Sequence, residues 1–200
     1  MKTSTVLSIA TLAFSAGAIP VDISTGTVSL QLNINLGQDA LAGSKGSDLF
    51  VFTSTHFVNA VPETVVNGTT PTGGLAGASG TFNFGINSHA NMICYNITLH
   101  NFQGDFESPA ATATHIHQAA VGASGPPRIS FPNPQPVNDD PAVRNSAGCI
   151  TGPFVTGLVV EGKDSGEGFH VSQIEQDPAA FFADTHSSLA VPGAVRGQLA

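Results

Sequence analysis

From Thr27 to Leu36 apolar and polar residues alternate without interruption (Val28, Leu30, Leu32, Ile34, Leu36), the period-two signature of a half-buried strand. Leu49–Thr53 and Phe57–Val66 add short β-prone runs, the second broken at Pro62, before a loop of Gly, Thr and Pro from Asn67 to Gly80. Thr81–Ile86 alternates again with Phe82, Phe84 and Ile86 on one face. Met92–Leu99 follows with Tyr95, Ile97 and Leu99 on one face and Cys94, Asn96 and Thr98 on the other. The short Asn/Ser stretch between these two runs predicts a hairpin. Thr112–Ala119 predicts a strand and Gly122–Pro127 a turn. Phe131–Cys149 is polar enough to predict a long surface loop, after which Ile150–Val160 is expected to return to the core. His170–Phe182 predicts the one helix, limited to about two turns by Pro178. Phe181–His186 and Ala194–Leu199 predict two closing strands across a Pro-Gly turn. Many short strands with one short helix near residues 170–180 give an all-β fold, an antiparallel β-sandwich.

Ahead of these runs, Lys2, the apolar Val6–Phe14 and the small residues Ala16-Gly17-Ala18 form the pattern of a secretory signal peptide over residues 1–18. The apolar run is shorter than the ~20 residues a membrane span needs. The expectation is a secreted chain with no membrane span after cleavage and a single domain over residues 19–200. An oxidising destination would join the only two cysteines, Cys94 and Cys149. Asn67-Gly68-Thr69 and Asn96-Ile97-Thr98 are acceptor triplets for N-glycosylation.

Composition narrows the functions. Of 200 residues 10% are charged and the formal net charge is −8, so the clustered cations that hold a phosphate backbone are missing and nucleic acid is excluded as a partner. No nucleophile elbow and no phosphate-binding loop occurs. Asp139-Asp140, Asp164 and Glu167 lack the spacing of a calcium loop and are expected to be solvated. His56, His89, His100 and His170 stand alone in sequence and are expected at the surface or in structural roles.

Thr114-His115-Ile116-His117-Gln118-Ala119-Ala120, then Gly125-Pro126-Pro127, and finally Pro192-Gly193-Ala194-Val195-Arg196-Gly197-Gln198-Leu199 resemble the chordin-type (CHRD) domain, and the region before Gly80 and the loop around Cys149 resemble its small secreted fungal form. That family shows H-I-H-G-x-A, a G-P turn, a late N-x-H strand and a closing P-G-G-x-x-R-G-Q. Here Asp184 stands for the usual Asn before Thr185-His186, and Gln118 and Ala194 replace usual glycines. The resemblance, over roughly Gly80–Leu199, implies a secreted β-sandwich and defines no activity.

His115 and His117 leave the same face of a strand, as do Asp184 and His186. Two readings stay open. The rings hydrogen-bond in a polar seam, or His115, His117 and His186 ligate a metal with copper or zinc preference, with Asp184 and Arg196 as supporting or anion-attracting groups. A strand H-x-H, a late histidine and a late arginine in a β-sandwich are more distantly similar to copper-zinc superoxide dismutase. No histidine lies between His117 and His170, so that family's zinc site is missing. Arg196 could instead pair with Asp184 across the closing strands. The expected function is a secreted, non-enzymatic binding or surface protein with an extracellular, cell-wall or host-surface partner; the alternative is a copper-binding redox protein.

Overall fold

The computed structural model describes residues 51–138 and 140–200. The expected signal peptide, the strand at Thr27–Leu36 and Asp139 lie outside the described residues. Two antiparallel sheets face each other. The first is ordered β1 (Ser54–Ala60), β4 (Ser79–Asn87), β5 (Met92–His100), β9 (Asp140–Thr151) and β8 (Gln135–Val137). The second is ordered β13 (Ala190–Gln198), β12 (Phe181–Ser187), β6 (Thr114–Gln118) and β7 (Pro127–Phe131). Two small hairpins, β2 (Val66–Asn67) with β3 (Thr70–Pro71) and β10 (Val159–Val160) with β11 (Lys163–Asp164), sit outside the sheets.

Alternation along the strands builds the core as the sequence predicts. Phe82, Phe84 and Ile86 of β4 and Ile93, Tyr95, Ile97 and Leu99 of β5 are buried. They meet Ile116, Ile129, Phe131, Phe181, Ala183 and Val195 from the other sheet. Phe131 joins the layers, its ring centroid 5.5 Å from Phe84 and 4.8 Å from Tyr95. At one corner the sheets nearly close, because Val61 and Arg196 exchange two backbone hydrogen bonds, of 2.9 and 3.2 Å.

Four local expectations are corrected. Phe131–Cys149 is not a loop: it holds β8 and the twelve-residue β9, which pairs with β5 from Met92↔Thr151 to His100↔Val143. Its polarity reflects a strand next to the sheet edge, none of whose residues is buried. Within Ile150–Val160 only Phe154 and Thr156 are buried. Val155 and Val159 are 70% and 64% exposed: Val155 lies ahead of β10, and Val159 is in the β10–β11 hairpin outside both sheets. The helix α1 is confined to Ser172–Gln176; Pro178 starts a separate 3-10 turn and Phe181 already belongs to β12. Pro192-Gly193 does not turn the chain but lies within β13, the turn falling at Ser188-Leu189. The predicted disulfide is present between Cys94 and Cys149, register partners on β5 and β9.

Candidate metal centre

β6 and β12 are neighbours in register, with His115 opposite Asp184 and His117 opposite Phe182. Ile116 and Ala183 of the same strands enter the core. Alternation therefore turns His115, His117, Phe182, Asp184 and His186 onto the outer face of this sheet. That face is not wet. His115 is 1% and Asp184 3% exposed, because two segments lie over it. Ser124 of the loop after β6 donates from its N–H to the Gly68 carbonyl at 2.8 Å and from its hydroxyl to that of Val66 at 3.2 Å. Val65 reaches the face because Gly193 has no side chain: a Cβ there would stand 3.0 Å from Val65 Cγ1, at a φ of +143°.

Each histidine is fixed from behind by a backbone carbonyl. His115 Nε2–H donates to Thr112 O at 2.7 Å, His117 Nδ1–H to Gly125 O at 2.8 Å and His186 Nδ1–H to Val191 O at 2.8 Å. A carbonyl only accepts, so these bonds set the tautomers. The free nitrogens, His115 Nδ1, His117 Nε2 and His186 Nε2, all turn to the Asp184 carboxylate. Gly125 is required here, since a Cβ would overlap the Gln118 carbonyl oxygen.

Four of the donor separations are close to the edges of a small ion's coordination shell. His117 Nε2 lies 3.4 Å from His115 Nδ1 and 3.3 Å from Asp184 Oδ1; His115 Nδ1 lies 3.7 Å from that oxygen, and His186 Nε2 3.2 Å from Asp184 Oδ2. One donor atom from each of the four residues lies within 4.8 Å of the others. A tetrahedral ion with bonds of ~2.0–2.1 Å has donor–donor edges of about 3.3–3.4 Å. Asp184 Oδ1 and His186 Nε2 are buried without a hydrogen-bond partner, although His186 is within ion-pair distance of the carboxylate. Buried polar atoms left unsatisfied are costly, and a cation between them would satisfy both. The residues present therefore fit a metal of the copper or zinc type.

Charge in the metal-free cluster is distributed unevenly. Burial would raise the Asp184 carboxyl, but the charges of His117 and His186 outweigh it and hold it well below the usual carboxylate range. Burial pulls His186 down, yet the Asp184 charge and the Val191 carbonyl together push it up to about 9. For His115 burial wins over Asp184 and lowers the imidazole.

Arg196 does not make the expected pair with Asp184. It is the register partner of Asp184, but no ion pair joins them. The guanidinium instead leans diagonally over Phe182, its carbon 3.5 Å from the ring centroid, and makes only long, 3.5 Å contacts to Ala120 O and Gln198 Oε1. His117 stacks on the same phenylalanine at 4.8 Å. A cavity of about 170 Å³ reaches His117, Asp184, His186 and Arg196, with Val65 and Pro192 among its walls. Sequence reasoning missed Phe182 and which backbone carbonyls hold the rings; the glycine of the Gly125-Pro126 turn was the only sign of one of them.

The other chemistry-bearing residues stay apart from this cluster. His56 Nδ1–H donates to the Leu199 carbonyl at 3.2 Å and His170 bonds Ser172, both structural; His89 and His100 are exposed. Asp164 is not a freely solvated acid: it accepts from Thr156, Gly157 and Gly166. Asn67 and Asn96 are both exposed. No helix among the described residues is long and apolar enough to cross a membrane.

No curated protein and no solved structure matches the chain. The family model described as the CHRD domain matches residues 58–199, which take in both sheets and all four residues of the cluster. By that match over more than half its length, the chain belongs to the CHRD domain family.

Proposed function

We propose that this is a secreted, non-enzymatic binding domain that acts outside the cell, at a cell-wall or host surface, and holds a metal ion at His115, His117, His186 and Asp184. The observation that carries the metal is the convergence of three imidazoles, each backed by a carbonyl, on a buried carboxylate whose Oδ1 has no hydrogen-bond partner. Backbone acceptors behind ligating histidines fix tautomer and ring orientation and raise ligand basicity. Copper and zinc both suit such a donor set, with copper the tighter. Residues 1–18, the disulfide and the two acceptor triplets support an extracellular destination.

Calorimetric titration of copper and of zinc into the chelator-treated protein should give micromolar or tighter binding, lost in His117→Ala. Equal, weak binding in both proteins would leave the cluster a hydrogen-bonded seam. A second reading, copper redox chemistry, is favoured by one feature: the cavity gives a small molecule a route to the ligands beside Arg196. It requires that the copper-loaded protein consume superoxide, and a copper-loaded but inert protein would eliminate it.

A further inference from the structure

The outer face of the five-stranded sheet, on the opposite side of the sandwich, carries an apolar groove of about 420 Å³ whose walls include Phe52, Phe57, Asn83, Gly85, Cys94 and Asn96. We propose that its occupant is the chain's own sugar: the first N-acetylglucosamine of a glycan on Asn96, stacked against Phe57. Phe57, Asn83 and Asn96 are register partners on β1, β4 and β5, so they form one row across the sheet. Strand spacing puts Phe57 roughly 10 Å from Asn96, within reach of the first sugar. At Gly85 the Phe52 ring lies on the sheet and forms part of the groove, since a Cβ on that glycine would meet the ring at 2.6 Å. Phe57 is 63% exposed, and the apolar C–H face of a hexosamine covers such a ring while its hydroxyls stay in water.

The asparagine is already oriented for this. Asn145 on β9 donates from Nδ2 to Asn96 Oδ1 at 2.8 Å and to Thr98 Oγ1 at 3.0 Å. Holding the amide oxygen on the β9 side turns Nδ2, the atom that is glycosylated, toward β4 and β1, where the groove lies. Glycosylation leaves Oδ1 free to accept, so the Asn145 contact survives it. Asn67 offers a comparison within the same chain: it is the exposed residue of β2 in the small β2–β3 hairpin and is not among the groove residues.

The inference rests on the proposed secretion and is independent of the metal. The test is to secrete the full chain from a eukaryotic host that N-glycosylates and to map both sites by mass spectrometry. The folded protein is then treated with a glycan-releasing amidase. Both sites should be occupied, with release from Asn96 at least tenfold slower than from Asn67. Phe57→Ala, at an exposed position, should remove that difference while Asn67 release is unchanged. In the wild type, ring-current shifts of the Asn96 N-acetylglucosamine protons should report the stacking directly. A glycan at Asn67 with none at Asn96, or equal release rates at the two sites, overturns this inference alone. Glycan at neither site overturns the secretory reading and this one together.

Discussion

Asp164 ties down the stretch between Phe154 and Gly166 by accepting hydrogen bonds of 2.8–3.0 Å from Thr156 N–H and hydroxyl, Gly157 N–H and Gly166 N–H. Burial raises its carboxyl, but those donors outweigh it and lower the pKa. A carboxyl with a folded pKa below its unfolded one stabilises fully above the unfolded value, ~4, and loses that contribution as pH falls through the folded one. Asp164→Ala should therefore lower stability at pH 7 by about 1 kcal/mol, a figure reduced for its contact with solvent. The gap to wild type should close as pH falls below ~4, and urea unfolding at pH 7 and pH 3 checks this. The sequence placed this residue among solvated acids because the glycines that donate to it carry no sign of their role. The histidines were more legible, since His115-x-His117 and Asp184-x-His186 each set two side chains on one face by strand period alone. What period cannot encode is which ring nitrogen stays free, because that depends on carbonyls at Thr112, Gly125 and Val191 brought in by turns.

At the scale of elements, β4, β5, β6, β12 and β13 could be read from alternation because each buries one face or both. β9 escaped because on its outer side it has only the short, exposed β8, and it carries Asp, Asn, Ser and Gly where a central strand would carry branched aliphatics. Its attachment comes from pairing with β5, the Asn145 side-chain bonds and the disulfide. Cys94 and Cys149 are 55 residues apart, and closing such a loop stabilises by up to about 4 kcal/mol in the chain-entropy model. The double variant Cys94→Ala/Cys149→Ala should lose roughly 2–4 kcal/mol. Amide exchange should show β9 losing protection before β12 and β13. Uniform loss across both sheets would mean that the bridge stabilises the sandwich as a whole.

Over the whole molecule, Phe131 reaches from one sheet to Phe84 and Tyr95 of the other and is fully buried. Phe131→Ala should lower stability by ~3–5 kcal/mol, with heat or denaturant melting both sheets in one transition; separate transitions would show that the layers fold independently. The sandwich itself was legible from the number and spacing of strands, but not which outer face would be covered, since Val65 reaches the histidines only through the close approach that Gly193 permits. The order in which the strands lie along the chain adds a temporal constraint. The H-x-H strand leaves the ribosome first, while Asp184 and His186 follow only after β7, β8, β9, the β10–β11 hairpin and α1. A chain that stops before Phe181 possesses two of the four ligands and can hold no ion in the way proposed. Metal occupancy would then certify the product: it would mark molecules whose synthesis ran to the last strands and whose β12 found β6, and an inventory of metal against protein would count the defective copies.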